Sequence, residues 1–410
     1  MASRRPKKFI SEPFEYHQEL DVTIESLTNL GVGVARYEGN WVIFVPHTLP
    51  GEKVRTRIFR NHPNFSEGDL IEILEPSPHR IEPKCELFGQ CGGCQYQNLE
   101  YSVQLEWKQR QVAELLEKMA GITFPVDPVV GSPVQYGYRS KITPHFQKPK
   151  NGEMGPIGFL LQGRRQQIID VKHCPIASDT INRKLTEVRQ EATSNAAQYK
   201  KGATLLLRDS LNDYVCTEHT ETCEEQVGDL VFSFHAGEFF QNNPHILPAF
   251  VNHVTSEARG DGDADFLADC YCGSGLFCLS SASDFKEAVG IEISESSIDW
   301  AKRNAETNEI ENCRFIAGDA ADLFAEVRFD PARTAVVIDP PRKGSTPEFL
   351  NQLIDYRPAR VVYVSCNPAT QIRDIELLKE HYDISRITPF DLFPQTRHLE
   401  CVVTLVRKPV

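Results

Sequence analysis

The stretch DFLADCYCGSG, residues 265–275, joins a short apolar run to a turn that contains glycine. Its first part is typical of a buried strand with Asp269 at the strand end, and Gly273 and Gly275 allow a tight turn before a helix. Further buried strands follow and alternate with helical segments such as 295–308; they are predicted in the stretches EAVGIEIS, CRFIAGD, TAVVIDPP, RVVYVSCNP and CVVTLVRK. This alternation predicts a doubly wound α/β domain over residues 239–410.

The bulk composition is that of an ordinary globular protein with more than one domain. The chain has 410 residues, 40% hydrophobic residues and a formal net charge of -13. No apolar run reaches the roughly eighteen residues that a membrane span needs, which predicts no membrane partner. The basic arm at residues 1–16, which includes Arg4 to Lys8, lacks the apolar segment of a secretory signal, so we expect a cytoplasmic protein.

Two regions precede the α/β domain. Residues 17–78 alternate apolar and polar positions between turn residues, which predicts an OB-like barrel of five strands. We interpret GVGVAR, residues 31–36, as a turn between two of these strands. Residues 79–238 are predicted to form a central β-rich domain that carries a cysteine cluster. Its one predicted helix spans 102–119, with four apolar residues on one face: Val112, Leu115, Leu116 and Met119.

The glycine turn predicts a nucleoside cofactor. Glu292 ends the next strand, where an acid typically hydrogen-bonds ribose hydroxyls, and Asp319 follows the third strand and is placed to meet an adenine edge. Phe277 and Cys278 stand where a dinucleotide fingerprint would bring a third glycine. The motif therefore favours a ligand without a pyrophosphate, such as S-adenosylmethionine. The alternative is a purely structural turn.

Cys366 stands at the carboxyl end of the predicted strand in RVVYVSCNP, and Asp339 stands at the end of the neighbouring strand in TAVVIDPP. Glu400 precedes the last run. A buried cysteine is often only a small apolar residue. A thiol, a carboxylate and a methyl donor together predict another role, since uracil C5 is too poor a nucleophile to attack a sulfonium methyl. Addition of a thiolate to C6 makes C5 nucleophilic, and a base then removes the C5 proton so that the thiol can leave.

Cys85, Cys91 and Cys94 have the spacing C-x5-C-x2-C, and Cys174 in KHCPI is the expected fourth ligand. In a reducing compartment such a group predicts metal binding rather than disulfides. Four thiolates suit an iron–sulfur cluster or tetrahedral zinc, and the spacing alone does not choose between them.

Several motifs together resemble the RNA uracil-5-methyltransferase family: VSCNPAT, IDPPRKG, QTRHLE, FFQNNP and the cysteine spacing. The resemblance implies a Rossmann-like class I methyltransferase domain, an N-terminal TRAM barrel and the central cysteine-cluster domain. It also implies Cys366 as nucleophile and Glu400 as base. Around S-adenosylmethionine it implies Gln241, Tyr271, Glu292, Asp319 and Asp339. Some members hold a [4Fe-4S] cluster in this cysteine arrangement, which favours iron over zinc.

The expected partner is structured RNA, with the target uridine flipped out of its stack. We expect 23S ribosomal RNA, with the T-loop of tRNA as the alternative, and neither DNA nor an oligomeric partner. Arg139 and Lys141 in YRSK are candidate contacts near the target loop. Possible stacking residues of the barrel are Trp41, Phe44 and Phe65.

Two further interpretations remain open. DPPR resembles the D/N-P-P-aromatic motif of amino-methyltransferases, but Arg342 stands where those enzymes need an aromatic residue, and their chemistry does not use Cys366. The other is a non-catalytic iron–sulfur protein that binds RNA, which would tolerate loss of Cys366 and Glu400.

Overall fold

The structure is a computed structural model that describes residues 9–318, 324 and 326–409. The predicted cofactor residue Asp319 and the basic residues Arg4 to Lys8 lie outside the described residues. The chain forms two compact units. The first comprises the described residues up to Gln111 together with Leu160–Gln167 and Gln395–Arg397, and the second comprises Val112–Phe159, Ile168–Pro394 and the described residues from His398 onward.

The first unit contains the predicted barrel. Its strands are β1 (Glu19–Leu27), β2 (Val32–Tyr37), β3 (Trp41–Pro46), β4 (Lys53–Asn61) and β5 (Phe65–Glu75), closed in the order β1-β2-β3-β5-β4. Buried and more exposed residues alternate along β1, as a strand with one face on a core requires. Closure of the five strands confirms the predicted barrel. The interpretation of residues 31–36 as a turn is wrong, because only Gly31 is in the turn and the rest belong to β2.

The predicted helix is present as α1 (Tyr101–Ala120). Val112 and Leu116 are buried, as the apolar face predicts, and Leu115 packs partly against the same core. Met119 does not join this face, since 49% of the residue is exposed. It lies in the last turn of the helix, next to Gly121.

The central region folds into short strands around one further helix. Its elements are β6 (Lys141–Ile142), β7 (His145–Phe146), β8 (Ile157–Leu161), β9 (Arg164–Asp170), α2 (Asp179–Ser194), β10 (Ala203–Thr204), β11 (Leu207–Ser210), β12 (Tyr214–Cys216), β13 (Thr222–Val227) and β14 (Leu230–His235). The strands form three small sheets with the orders β10-β7-β8-β9, β12-β11-β6 and β13-β14. Helix α2 was not predicted. Ser178 accepts a hydrogen bond from the backbone N–H of Ile181 and caps it.

The C-terminal part of the second unit is the predicted α/β domain. In chain order its elements are α3 (Leu247–Arg259), β15 (Phe266–Cys270), α4 (Leu276–Ser280), β16 (Glu287–Glu292), α5 (Glu295–Thr307), β17 (Cys313–Ala317), β18 (Thr334–Ile338), α6 (Pro347–Tyr356), β19 (Arg360–Ser365), α7 (Pro368–Leu378), β20 (Tyr382–Phe390) and β21 (Glu400–Arg407). They build one seven-stranded sheet in the order β17-β16-β15-β18-β19-β21-β20.

Strands β15 to β19 of this sheet run parallel, and β21 runs antiparallel to both β19 and β20. All five residues of β18 are buried, because helices cover both faces of the sheet, as in other doubly wound folds. The order reverses at β15, so ligands are expected beyond the carboxyl ends of the central strands. Within the described residues, no helix is both long enough and apolar enough to span a bilayer.

Candidate active site

The register of the parallel strands determines where three predicted site residues lie. Cys270 pairs with Ile291 of β16 and with Ile338 of β18, so the next position on each strand lies at one edge of the sheet. Those positions hold Tyr271, Glu292 and Asp339. The structure therefore brings these three predicted residues together at the edge where a doubly wound sheet binds its ligands.

Cys366 and Glu400 are brought together by an antiparallel pair. Ser365 at the end of β19 pairs with Cys401 near the start of β21. The next position beyond this pair is Cys366 on one chain segment and Glu400 on the other. The predicted nucleophile and the predicted base thus face each other across two adjacent strands, although they are separated by more than thirty positions in sequence.

A buried glutamine fixes this pair of strands to the following helix. Gln371 of α7 donates from Nε2 to the carbonyl oxygen of Tyr363 in β19, at 2.8 Å, and to that of Cys401 in β21, at 2.9 Å. Gln371 is fully buried, so both hydrogen bonds are shielded from water. The positions of Cys366 and Glu400 are consequently set by rigid backbone.

Cys366 lies between the end of β19 and the first turn of α7. The pKa of its thiol is raised to about 11, chiefly by burial and in addition by the carboxylates of Glu400 and Asp339, whereas Arg342 lowers it. The positive end of α7 also favours a thiolate at this place. Because the thiol is protonated at neutral pH, attack by Cys366 requires that its proton be removed as the bond forms.

The two carboxyl groups near the thiol interact with each other. Burial raises the pKa of Asp339 to about 7. Burial also raises the pKa of Glu400 well above its usual range, Asp339 raises it further, and Arg342 lowers it. Glu400 is only 4% exposed, whereas part of Asp339 remains accessible. Two neighbouring buried carboxyl groups with raised pKa values are suited to accept and return protons.

Arg342 is a site residue that sequence reasoning did not identify as such. Its side chain hydrogen-bonds Cys366 and lowers the pKa of that thiol. Its carbonyl oxygen accepts hydrogen bonds from Asn367 Nδ2, at 3.0 Å, and from Thr370 Oγ1, at 3.2 Å, so the DPPR turn is fastened to the start of α7. The position was noticed only for the aromatic residue that it lacks. A cation beside the predicted thiol was the available signal.

The glycine turn and its acids fit a nucleoside ligand. Glu292 accepts hydrogen bonds from the backbone N–H of Gly273, at 3.3 Å, and of Ser294, at 3.0 Å, which holds the acid against the turn. Behind the turn, Asp269 is fully buried and accepts from Cys278 N–H at 2.9 Å through one oxygen. Its other oxygen, Oδ1, has no hydrogen-bond partner within the described structure. Such a buried acceptor is consistent with a polar ligand at this edge.

Gln241 is placed by a buried arginine. Arg208 is fully buried, lies over the ring of Phe234 with 4.6 Å to its centroid, and donates to the carbonyl oxygen of Gln241 at 3.3 Å. Gln241 itself is 4% exposed. Gln241 does not cap the following helix, because α3 begins at Leu247 without a side-chain cap. The hydrogen bond from Arg208 fixes the backbone of Gln241 instead.

Arg139 and Lys141 bond to the backbone of their own unit. The ammonium of Lys141 donates to the carbonyl oxygens of Gly237, at 3.4 Å, and Glu238, at 3.0 Å, just before the FFQNNP segment. Burial lowers the pKa of Lys141 to about 8. Arg139 donates from Nε to the carbonyl oxygen of Lys141 at 2.9 Å. The two cations therefore support the loop that carries Gln241.

Phe239, in the same loop, is the most exposed large apolar residue of the described chain, with 76% of its surface accessible. Its neighbour Phe240 is buried and stacks on Phe234. Phe240 therefore belongs to the core, whereas Phe239 lies on the surface. Sequence reasoning noted the FFQNNP motif without separating these two rings. An exposed ring beside Gln241 is a suitable surface for stacking a base.

The predicted metal ligands are not assembled by the described geometry. No disulfide joins any of the twelve cysteines, all of which lie in the described residues. Within the described residues, no three or more potential ligands are grouped as a metal site. Cys85 and Cys91 are near enough for a charge on the first to raise the pKa of the second, which burial raises most. The metal therefore stays a prediction, and Cys174 belongs to the other compact unit.

The possible stacking residues of the barrel form part of an aromatic group. Phe44 and Phe65 meet edge to face with 5.2 Å between ring centroids, and His62 stacks on Phe65 at 4.2 Å. Trp41 donates from Nε1 to Ser66 Oγ at 3.0 Å. All three predicted rings are half-buried, and Trp41 also packs against the barrel core.

Comparisons with known proteins identify the family. A TRAM domain profile matches residues 14–71, and a profile described as tRNA (Uracil-5-)-methyltransferase matches residues 211–408. The tRNA (uracil(54)-C(5))-methyltransferase of Schizosaccharomyces pombe is 41% identical, over 96% of this chain and 79% of its own length. The chain belongs to the RNA uracil-5-methyltransferase family. As a member it is an RNA (uracil-C5-)-methyltransferase that uses S-adenosylmethionine.

Two other similarities agree with this assignment. The Saccharomyces cerevisiae protein with the same name is 35% identical, over 96% of this chain and 74% of its own. The crystal structure of Pyrococcus abyssi tRNA (uracil-54, C5)-methyltransferase with S-adenosyl-L-homocysteine matches with a TM-score of 0.72. That match covers 94% of this chain and all of the other at 23% identity, so it supports the fold. The prediction of an RNA uracil-5-methyltransferase with a TRAM barrel and a class I methyltransferase domain is thereby confirmed.

Proposed function

We propose that this methyltransferase modifies C5 of the uridine at position 54 in the T-loop of tRNA. The two relatives of 41% and 35% identity carry that activity in their names, whereas ribosomal RNA, the expected substrate, has no such support. The observation that carries the proposed mechanism is the placement of Cys366 opposite Glu400 at the cofactor edge of the sheet. Methylation of uracil C5 needs a nucleophile and a base arranged in this way.

Cys366 is the proposed nucleophile. Its sulfur adds to C6 of the flipped uridine, the thiol proton passes to a neighbouring carboxylate, and the electron pair of the C5=C6 bond moves to give an enolate. S-adenosylmethionine, when bound, supplies the electrophilic methyl group that C5 then takes. Arg342 assists by stabilising negative charge on the thiolate, since it already lowers the pKa of Cys366.

Glu400 is the proposed base of the second half of the reaction. Its carboxylate takes the proton from the methylated C5, the C5=C6 double bond re-forms, and the bond between C6 and the sulfur of Cys366 breaks. Asp339 is the proposed partner that shares protons with Glu400, because each carboxyl lies in the field of the other. The pKa of Asp339, raised to about 7, leaves that group able to exchange protons near neutral pH.

Binding residues are proposed for each compact unit by itself. Around the cofactor we propose Tyr271, Glu292, Asp339, Gln241 and, outside the described residues, Asp319. Phe239 is the proposed stacking surface for the flipped uracil, and the barrel aromatics Phe44 and Phe65 are proposed to contact unpaired bases. The negative net charge of the chain does not favour binding to RNA phosphates. Stacking on bases is therefore proposed to contribute more of the affinity for RNA.

The metal remains part of the proposal. Cys85, Cys91, Cys94 and Cys174 are proposed to hold a [4Fe-4S] cluster, with zinc as the alternative, on the strength of their spacing. No step of the methyl transfer is assigned to this metal. Its proposed role is to shape the loop that holds the first three cysteines.

The proposed mechanism is tested by substituting 5-fluorouridine for uridine in a tRNA transcript. Fluorine cannot be removed as a proton, so the covalent bond between Cys366 and C6 should persist after methyl transfer. A band of protein bound to RNA on a denaturing gel is expected with the native chain and not with Cys366→Ala. The same band with Cys366→Ala, or methylation of ordinary tRNA by that variant, would overturn the proposal.

A further inference from the structure

The turn that carries Arg342, residues 340–346, joins β18 to α6 and is called the Arg342 turn below. It belongs to the second compact unit, as does Cys366. Arg342 is exposed, whereas the chain becomes buried two and three positions later, at Gly344 and Ser345. The place of the guanidinium beside the thiol therefore depends on how the backbone of this turn is fixed.

Asp374 of α7 is a buried acid that holds the turn. It is only 1% exposed. Its Oδ2 accepts a hydrogen bond from the backbone N–H of Ser345 at 2.8 Å and another from the hydroxyl of Tyr363 at 2.6 Å. Tyr363 belongs to β19, three positions before Cys366. One carboxylate thus joins the Arg342 turn to the strand that leads to the thiol.

Arg373, the preceding residue of α7, completes this attachment. It donates to Asp374 Oδ1 from Nε at 2.9 Å and from Nη2 at 2.6 Å. The same Nη2 donates to the carbonyl oxygens of Lys343, at 3.0 Å, and Ser345, at 3.4 Å. These charged hydrogen bonds offset the cost of burying Asp374. They also fix the backbone that follows Arg342 to α7.

Gly344 allows the turn to approach these two side chains closely. Its φ is 80°, in the left-handed region that glycine adopts readily. A Cβ added at this position would lie 2.6 Å from Arg373 Nη2 and 2.7 Å from Asp374 Oδ2. Any side chain here would therefore push the turn away from α7.

We infer that Asp374 is a positioning residue that holds Arg342 beside Cys366. Asp374 acts through the backbone of the Arg342 turn and through Tyr363, whereas the guanidinium of Arg342 is the group that faces the thiol. The inference rests on the proposed function for its catalytic meaning, since it assigns a support to the proposed nucleophile. Its specific consequence is that loss of the carboxylate should reproduce, in part, the loss of Arg342.

The experiment uses the full-length protein and two changes of this support. Asp374→Asn keeps the size of the side chain but removes its charge, and Gly344→Ala displaces the turn from the same group. Asp127→Asn is the control with the same chemical change. Asp127 lies in the same compact unit and accepts from Arg386 Nε and Thr388 Oγ1 of β20, both at 2.7 Å, rather than from the Arg342 turn.

Four quantities are measured for each variant. The first is the rate at which iodoacetamide alkylates Cys366 at pH 8, followed by mass spectrometry of the peptide that contains this residue. The second is the rate of adduct formation with tRNA that carries 5-fluorouridine. The KM for S-adenosylmethionine and the melting temperature complete the set.

Asp374→Asn is expected to slow alkylation of Cys366 about three- to tenfold, since a cation that moves away from the thiol raises its pKa by up to about one unit. Adduct formation should slow by a similar factor, while the KM for S-adenosylmethionine stays within about twofold. Gly344→Ala should give the same pattern. Asp127→Asn should be alkylated at the native rate, even if its melting temperature falls as far.

A double variant separates positioning from a general loosening of the fold. In Arg342→Met the cation is already absent, so the addition of Asp374→Asn should slow alkylation by less than about twofold more. A further loss as large as that caused by Asp374→Asn alone would overturn the inference, because Asp374 would then influence the thiol independently of Arg342.

Native alkylation rates in both Asp374→Asn and Gly344→Ala would overturn the inference as well, and so would equal slowing in Asp127→Asn. Alkylation needs no RNA and therefore tests the positioning by itself. Absence of an adduct between the native protein and 5-fluorouridine tRNA would instead count against the proposed function, so the two failures are distinguishable.

Discussion

Glu400 lies opposite Cys366, one position beyond the paired residues Ser365 and Cys401 of two antiparallel strands. The carboxylate raises the pKa of the thiol, and burial raises the pKa values of both. A carboxylate this close to the thiol disfavours a permanent thiolate at Cys366. The arrangement suits a thiol that becomes a nucleophile as its proton moves and a base that acts later on the same adduct.

Replacing Glu400 should trap the reaction after methyl transfer. Glu400→Gln keeps the size of the side chain but cannot accept the C5 proton, so turnover should fall about 10²- to 10⁴-fold, the usual contribution of a general base. We expect a covalent complex with ordinary tRNA that native protein does not accumulate. Glu287→Gln, at an exposed acid of the same sheet, is the matched control. Loss of turnover in Glu400→Gln without covalent complex would assign this residue to an earlier step.

The same substitution should stabilise the fold at alkaline pH. Because the pKa of Glu400 is raised in the folded chain, the folded state binds more protons than the unfolded state above the ordinary glutamate pKa. Native stability attributable to this group therefore falls as pH rises toward the folded pKa. Glu400→Gln removes that loss, so its melting temperature should exceed that of native protein by about 2 °C at pH 8.5 and match it near pH 4. A difference that grows toward acid would contradict the burial of an ionisable Glu400.

The dependence of activity on pH should move when Asp339 is neutralised. Burial raises the pKa of Asp339 to about 7, and its charge raises that of Glu400. We expect kcat to increase with pH through an apparent pKa that belongs to the pair. Asp339→Asn removes the negative charge, so the remaining acidic limb should shift to lower pH. Single-turnover rates between pH 5.5 and 9 measure this, and an unchanged limb would mean that Asp339 does not interact with the base.

Arg342 should control the reactivity of Cys366 even without RNA. Its guanidinium lowers the pKa of that thiol by charge and by a hydrogen bond. In Arg342→Met the thiol pKa should therefore increase, and alkylation of Cys366 by iodoacetamide at pH 8 should slow about tenfold, which corresponds to a change of one pKa unit. Lys343→Met is the control, since Lys343 is the exposed neighbouring cation. Equal rates for native protein and Arg342→Met, measured by mass spectrometry of the peptide with Cys366, would exclude this effect.

The sequence predicts much of the α/β domain because its strands are buried on both faces and appear as unbroken apolar runs. Strand β20 was missed for a local reason: the register shifts between Ile384 and Arg386, which interrupts the simple alternation of its residues. Helix α2 was missed because few apolar positions mark its buried face, although Ser178 caps its start.

For the site, the sequence predicts that Cys366, Asp339 and Glu400 lie together, because each stands next to the end of a predicted strand and such ends meet at one edge of a sheet. The structure adds what sequence distance hides. Gln104 and Gln395 are 291 positions apart and yet share two hydrogen bonds. Arg342 lowers the pKa of a thiol that follows a different strand. No periodicity or spacing predicts such contacts, because they depend on how loops from separate elements meet.

Removing one thiolate should reveal whether the four predicted cysteines share a metal. Cys174→Ser should purify with less than about a third of the iron or zinc of native protein, because loss of one of four thiolates leaves an incomplete site. Cys313→Ser, at a half-buried cysteine of β17 outside the motif, should retain the native content. Metal analysis of anaerobically purified protein measures both. Full metal content in Cys174→Ser would show that Cys174 is not a ligand.

The most direct measurement of the central claim is covalent capture by RNA that carries 5-fluorouridine. Native protein and Cys366→Ala are incubated with S-adenosylmethionine and with transcripts of tRNA or of ribosomal RNA, and the complexes are separated under denaturing conditions. We predict an adduct of native protein with tRNA, lost when uridine 54 is changed to cytidine and absent from Cys366→Ala. An adduct that persists in Cys366→Ala would contradict the assigned nucleophile, and capture by ribosomal RNA alone would contradict the proposed substrate.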